Sequence, residues 1–173
     1  MMGRALLIVG AMATLGLVAA AVLGYRLAGP VGEEMSRHVL VALASSLLLL
    51  FSHCWIMFYL IGTGKAIKQA VADHGLEPSL IEETKRFKNE SYPSLMLAMG
   101  LAMATFILGG GAATGSLPVW VHHALFWAAL VVQARTLWIE KRVLEANERL
   151  MANIDRRLAS PPPSVPRGGR VEA

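Results

Sequence analysis

The sequence predicts an all-α integral membrane protein, a four-transmembrane-helix bundle with cytoplasmic helical extensions. Three observations predict it. The 173-residue chain is 55% hydrophobic with a mean hydropathy of +0.51, too apolar for a soluble domain of that length. Four stretches, residues 5–28, 39–61, 94–111 and 119–138, approach or exceed the ~20 helical residues that a hydrocarbon core requires. Beyond the last of them, Leu137, Leu144, Met151 and Leu158 recur every seven residues among charged ones, the mark of an amphipathic helix.

The first stretch opens with Arg4 and carries Ala19-Ala20-Ala21, which imitates a signal-peptidase site. Its apolar run is longer than a signal core, and Gly16, Ala20 and Gly24 put small residues on one face at four-residue spacing. A retained span is therefore the reading, with a cleaved signal peptide as the alternative. The second span continues through Ile67 and Val71 until His74-Gly75 stops it, and a short separate helix over 78–89 leads to Tyr92-Pro93 and the third span. That span is expected to end at Gly109, Gly110 and Gly111, with "GGGAATG" over 109–115 as a flexible outer turn. This glycine run lacks the lysine and the strand-to-helix setting of a phosphate loop.

The fourth span extends over 139–158, with Val143, Leu150 and Ile154 beside the heptad positions and Glu140, Lys141, Arg142, Glu145, Glu148 and Arg149 around them. Together with 62–90 this extension forms a cytoplasmic stalk. Residues 1–159 make one membrane domain, and 160–173, rich in proline and glycine, form a disordered cytoplasmic tail.

Lysine and arginine set the orientation. Lys65, Lys68, Lys85, Arg86 and Lys88 lie between spans two and three, and Lys141, Arg142, Arg149, Arg156 and Arg157 follow span four, whereas the link between spans three and four carries no charge. Both termini are expected in the cytoplasm, and the membrane is the cell membrane, the inner one in a bacterium. The formal charge of +4 follows from this topology. Nucleic acid is not an expected partner, because the basic residues are interleaved with acidic ones. A lone cysteine, Cys54, excludes an intrachain disulfide.

Two constellations are candidates for chemistry. At about 12 Å depth in span two lies His53, beside Cys54 and Met57, level with Met96, Met99 and Met103 of span three. Imidazole, thiolate and thioether suit copper(I), and histidine with methionine can hold a haem iron. The preferred reading is plainer: His53 hydrogen-bonds across the bundle to Gln133, Thr105 or a serine, and the methionines fill space. The second set, His38 with His122 and His123, sits at the outer face and can ligate haem b or a divalent ion. Interfacial contact with water and headgroups is the preferred alternative. His122 and His123 point about 100° apart on a helix, so only one of them can face the bundle.

No Ser-His-Asp set and no paired carboxylates fall inside the spans, and neither a haem-attachment motif nor a nucleotide loop is present. The layout resembles, in general terms, small four-helix membrane anchors that carry haem b, although no stretch matches such a family residue by residue. The expected function is that of a non-catalytic accessory or assembly subunit. It would act in the lipid bilayer through helix contacts at Gly16, Ala20, Gly24, Leu144, Met151 and Leu158, with a second copy or other membrane subunits as partner. The alternative is a haem b- or copper-binding membrane protein for redox or metal handling.

Overall fold

The computed structural model describes residues 2–27 and 32–159, so the tail expected from residue 160 lies outside the described residues. The described elements are all helices: α1 (Met2–Tyr25), α2 (Glu33–His74), α3 (Ser79–Ala113) and α4 (Val119–Ala159). The last three hold 42, 35 and 41 residues. At the α-helical rise they run about 50–60 Å, well past a ~30 Å hydrocarbon core. Each therefore joins an apolar half to an amphipathic half without a break.

α1, α2 and α3 are long and apolar enough to cross a membrane. α4 falls short of the four-span expectation on that measure, because His122, His123, Gln133 and Arg135 interrupt its apolar run. Large apolar side chains such as Ile8, Leu15, Leu40, Phe58, Ile107 and Val131 are exposed, while serines, threonines, a histidine and a glutamate are buried. That inversion of the usual soluble pattern marks a membrane protein.

Two boundaries differ from the sequence reading. α3 runs unbroken from Ser79 through Pro93, where a separate short helix was expected. Proline removes the bond to the Asn89 carbonyl, but Pro93 and Asn89 are both exposed, so the lost bond falls at the helix surface. The helix also continues through Gly109–Gly111 to Ala113, and the turn comes at Thr114, with Gly115 at φ +73°. Gly109 and Gly111 lie against His122 and Leu117, so they serve close approach within a helix and do not form the turn. The α2–α3 turn matches expectation, with Gly75 left-handed at φ 64° as the C-cap.

The helices form a ring in chain order, with α1 against α2, α2 against α3, α3 against α4 and α4 against α1, plus a diagonal contact of α2 with α4. The end of α1 and the start of α2 lie at the same end of the bundle as the α3–α4 turn, here called the hairpin end. The opposite, stalk end carries the α2–α3 turn, where Arg157 of α4 reaches Glu77 at 4.0 Å. The interior differs between these ends. The stalk half holds one continuous apolar core that includes Leu6, Ile56, Leu60, Phe87, Leu95 and Leu144. The hairpin half holds a small cluster of Ala13, Leu49 and Ala102.

The small-residue face of α1 is used inside the chain. A methyl on Gly16 would overlap Ser45 Oγ, Ala20 is buried, and Gly24 lies against the His38 ring. Along the α4 heptad, Leu144 is buried and Met151 packs at the edge of the stalk core, but Leu158 is 41% exposed. A straight α-helix drifts about 20° per heptad against a strict seven-residue repeat, which carries the last member off the core face.

Candidate functional site

The buried face of α4 is polar in its middle. Gln133, Thr136, Glu140 and Asn147 are all buried, and Gln133, Glu140 and Asn147 are seven residues apart. Glu140, expected among the solvent-facing charges of the stalk, is 1% exposed. Its carboxylate oxygen Oε1 lies 2.8 Å from His53 Nδ1, and neither side chain has any solvent exposure. The other ring nitrogen, Nε2, is 3.0 Å from Gln133 Oε1. Gln133 Nε2 donates to Thr14 Oγ1 at 3.2 Å, and Thr14 donates to the Gly10 carbonyl at 2.8 Å.

This chain of bonds has a direction. A backbone carbonyl only accepts, so the Thr14 hydroxyl proton points to Gly10 and the Thr14 oxygen accepts from the Gln133 amide. The Gln133 oxygen then faces His53 and accepts from Nε2–H. His53 Nδ1 is left facing the carboxylate, and two lone pairs cannot share 2.8 Å. One proton therefore lies between His53 and Glu140, either as carboxylic acid with neutral imidazole or as carboxylate with imidazolium. His53 Nδ1 and both Glu140 oxygens make no aligned hydrogen bond among the described residues, so the 2.8 Å approach is an ion-pair contact without hydrogen-bond alignment.

His53 Nε2 is thus engaged with Gln133, and Nδ1 stands beside the Glu140 carboxylate. Cys54 is exposed, with its sulfur 3.9 Å from that of Met99. Met57 packs against the stalk core, while Met96 and Met103 are exposed. Among the described residues no three His, Cys, Asp or Glu side chains converge as a metal site.

The outer histidines are arranged differently. All four helices line a cavity of about 700 Å³ in the hairpin half, with His38, His122 and His123 in its wall and Leu17, Ser46, Ala102 and Leu130 toward the bundle centre. His38 Nδ1 is 2.7 Å from the Ala20 carbonyl, and His122 Nδ1 is 3.1 Å from the Thr105 carbonyl. Since a carbonyl only accepts, both Nδ1 atoms carry the proton. Each Nε2 then presents a lone pair, and neither makes a hydrogen bond among the described residues.

A glycine stands beside each ring. A Cβ on Gly24 would come within 2.9 Å of His38 Cε1, and a Cβ on Gly109 within 2.9 Å of His122 Cε1. In each case the glycine lies four residues after the carbonyl that holds the histidine. The α1–α2 and α3–α4 hairpins therefore repeat one device. Ala20, Gly24 and His38 form it in the first hairpin, and Thr105, Gly109 and His122 in the second. His123 stands apart from this pattern, with its ring 4.9 Å from that of Tyr25, whose hydroxyl accepts from Trp127 Nε1 at 3.3 Å.

Of the residues singled out in the sequence, His38, His122 and His123 come together at one cavity, and His53 stands apart with Gln133. Glu140 was missed because it opens the run Glu140-Lys141-Arg142, yet its seven-residue spacing from Gln133 and Asn147 was visible. The paired glycine–histidine device was missed because it leaves two residues per hairpin in the sequence, at separations of 14 and 13 residues that differ by one. No known protein-family model, no curated protein and no solved structure matches this chain.

Proposed function

We propose that the chain is a membrane-embedded redox protein that would hold haem b in the cavity at the hairpin end, with His38 and His122 as the residues whose Nε2 atoms would bind the iron. The observation that carries this reading is the repeated device. Two histidines from different hairpins line one cavity, each with Nδ1–H fixed by a helix carbonyl and Nε2 free. A backbone or carboxylate acceptor on the far ring nitrogen fixes the tautomer and orientation of a metal-binding histidine. Glycines beside the rings let them sit flat against the neighbouring helix. The cavity of about 700 Å³ falls within the range that encloses organic ligands, and its walls are apolar with few polar groups. Bound there, haem supplies one-electron transfer. The protein would supply the two nitrogens and a largely apolar wall.

The same reading takes α4 as a fourth span. It runs back along α3 from the turn at 114–118, and it exposes Trp120, Trp127 and Val131 while His122 and Gln133 face the bundle. With lysine and arginine concentrated at the stalk end, both termini lie in the cytoplasm and the cavity lies toward the outer leaflet. An accessory or assembly role is the weaker reading. One of its supports is the Gly16, Ala20, Gly24 face, and those residues meet Ser45 and His38 of α2 in the same chain.

Detergent-purified protein, measured by visible absorption oxidised and then reduced and by metal analysis, tests the reading. The expected result is a haem spectrum with one iron per chain, lost in His38→Ala and in His122→Ala and retained in His123→Ala. A protein that stays colourless when haem is supplied during expression and again after purification overturns it.

A further inference from the structure

α2 and α3 are both long and apolar enough to cross a membrane, and the seam between them runs from their apolar halves to the stalk. Three contacts mark its course. Cys54 Sγ lies 3.9 Å from Met99 Sδ, the Tyr92 hydroxyl donates to the Met57 carbonyl at 3.0 Å, and Lys88 lies against Gly64. Gly64 is buried, and a Cβ there would stand 3.0 Å from Lys88 Nζ. The glycine therefore lets the Lys88 ammonium lie directly on the α2 backbone. Tyr92 sits one turn from Lys88 on the membrane side, where an amphipathic ring marks the interface.

Helical spacing puts Lys68 on the face of Gly64, four residues on, with Ile61 and Lys65 beside it. That flank of α2 also carries Cys54 and Phe58, and the Cys54–Met99 contact shows that it borders α3. Phe58, Ile61 and Met96 are exposed along the membrane part of the seam. Within about two turns, then, the seam passes from exposed apolar side chains to three lysines.

These lysines lack a counter-charge. Lys65, Lys68 and half-buried Lys88 make no hydrogen bond or ion pair among the described residues. The acidic side chains of α3 are already paired, Glu82 with Lys85, Glu83 with Arg86 and Glu90 with Arg142. Between Glu34 and Asp73, α2 carries no acidic residue. Three like charges brought together beside a helix backbone repel one another, and an anion that accepts from all of them removes that cost.

We propose that the stalk end of the α2–α3 seam binds an anionic phospholipid. Its phosphate sits among Lys65, Lys68 and Lys88, and an acyl chain lies along Phe58, Ile61 and Met96. Basic pockets between transmembrane helices hold anionic headgroups in this way. A soluble anion would supply the charge and leave the apolar flank uncovered, whereas a lipid supplies both. The site is separate from the cavity at the hairpin end and does not depend on what that cavity holds.

Native mass spectrometry of the full-length protein, released from mixed micelles of phosphatidylglycerol and phosphatidylcholine in equal amounts, tests this. Wild type should retain phosphatidylglycerol in preference to phosphatidylcholine. Each lysine near an anionic headgroup is worth about fivefold in binding, so Lys65→Gln, Lys68→Gln and Lys88→Gln combined should weaken retention roughly a hundredfold. Arg4→Gln, Arg135→Gln and Lys141→Gln combined remove the same charge at exposed positions on α1 and α4 and should leave retention intact. The proposal is overturned by a wild type that shows no preference, or by equal losses in the two triple variants, which would make the attraction one of net charge. It is overturned as well if glycerophosphoglycerol, the headgroup without chains, displaces the bound lipid at equal concentration.

Discussion

At the scale of single residues, the account predicts opposite outcomes for two ways of removing one ion pair. His53→Leu leaves Glu140 buried without its partner, and breaking a buried pair on one side costs about 3–5 kcal/mol. His53→Leu combined with Glu140→Leu removes both polar groups and should recover most of that loss. Unfolding in mixed detergent micelles checks the pair; a double variant no better than the single one would mean that the pair is held by something other than mutual neutralisation. The glycines beside the outer histidines make a second case. Gly24→Ala and Gly109→Ala each force a ring away from its helix, so haem content should drop in both, while Gly62→Ala, with open space around it, should change nothing. The bond from His53 to Gln133 was legible in outline, since Gln133 lies about one turn from the level of the parallel fourth span that matches His53, and it stood among several polar candidates. Glu140 was not, because a carboxylate in a charged run reads as solvated unless its spacing is compared with that of the polar residues a heptad away.

At the scale of elements, α4 shows what periodicity conveys and where it stops. The seven-residue repeat identified an amphipathic extension, and Leu144, Leu150 and Ile154 are buried in the stalk core. Truncation of the fully buried Leu144 to alanine should cost about 2–5 kcal/mol. The same change at exposed Leu158 should stay within about 0.5 kcal/mol. Equal losses at both sites would place Leu158 in an interface that a single chain lacks. Breaker residues were the less legible signal. Pro93 and the glycines at 109–111 are punctuation by local rules, but here the helix continues through them. One loses its bond at an exposed surface, and the others admit a histidine and a leucine from the facing helix. Local propensity cannot see which neighbour a glycine makes room for.

At the scale of the whole molecule, the bundle divides into a stalk half packed with large apolar side chains, a polar layer around His53 and Glu140, and a hairpin half with a partly open cavity. The all-helical class and the apolar stretches were legible because a bilayer demands them. The cavity was not, since it arises from alanines, glycines and serines on four helices that meet only in three dimensions. Topology belongs to this scale. Cysteines at Ser116 and at Asp73, in a background with Cys54 replaced by serine, should react with an impermeant thiol reagent from the outer and the cytoplasmic side respectively; reaction of both from one side would exclude the proposed four-span arrangement.

The account turns on whether two histidines from the two hairpins hold one haem. Titration of haemin into haem-free protein, followed by the growth of the bound absorption band, tests this most directly in wild type, His38→Ala, His122→Ala and His123→Ala. Saturation at one haem per chain in wild type and His123→Ala, with loss of that binding in the other two variants, is the predicted result. Equal binding in all four proteins, or in none, would contradict it.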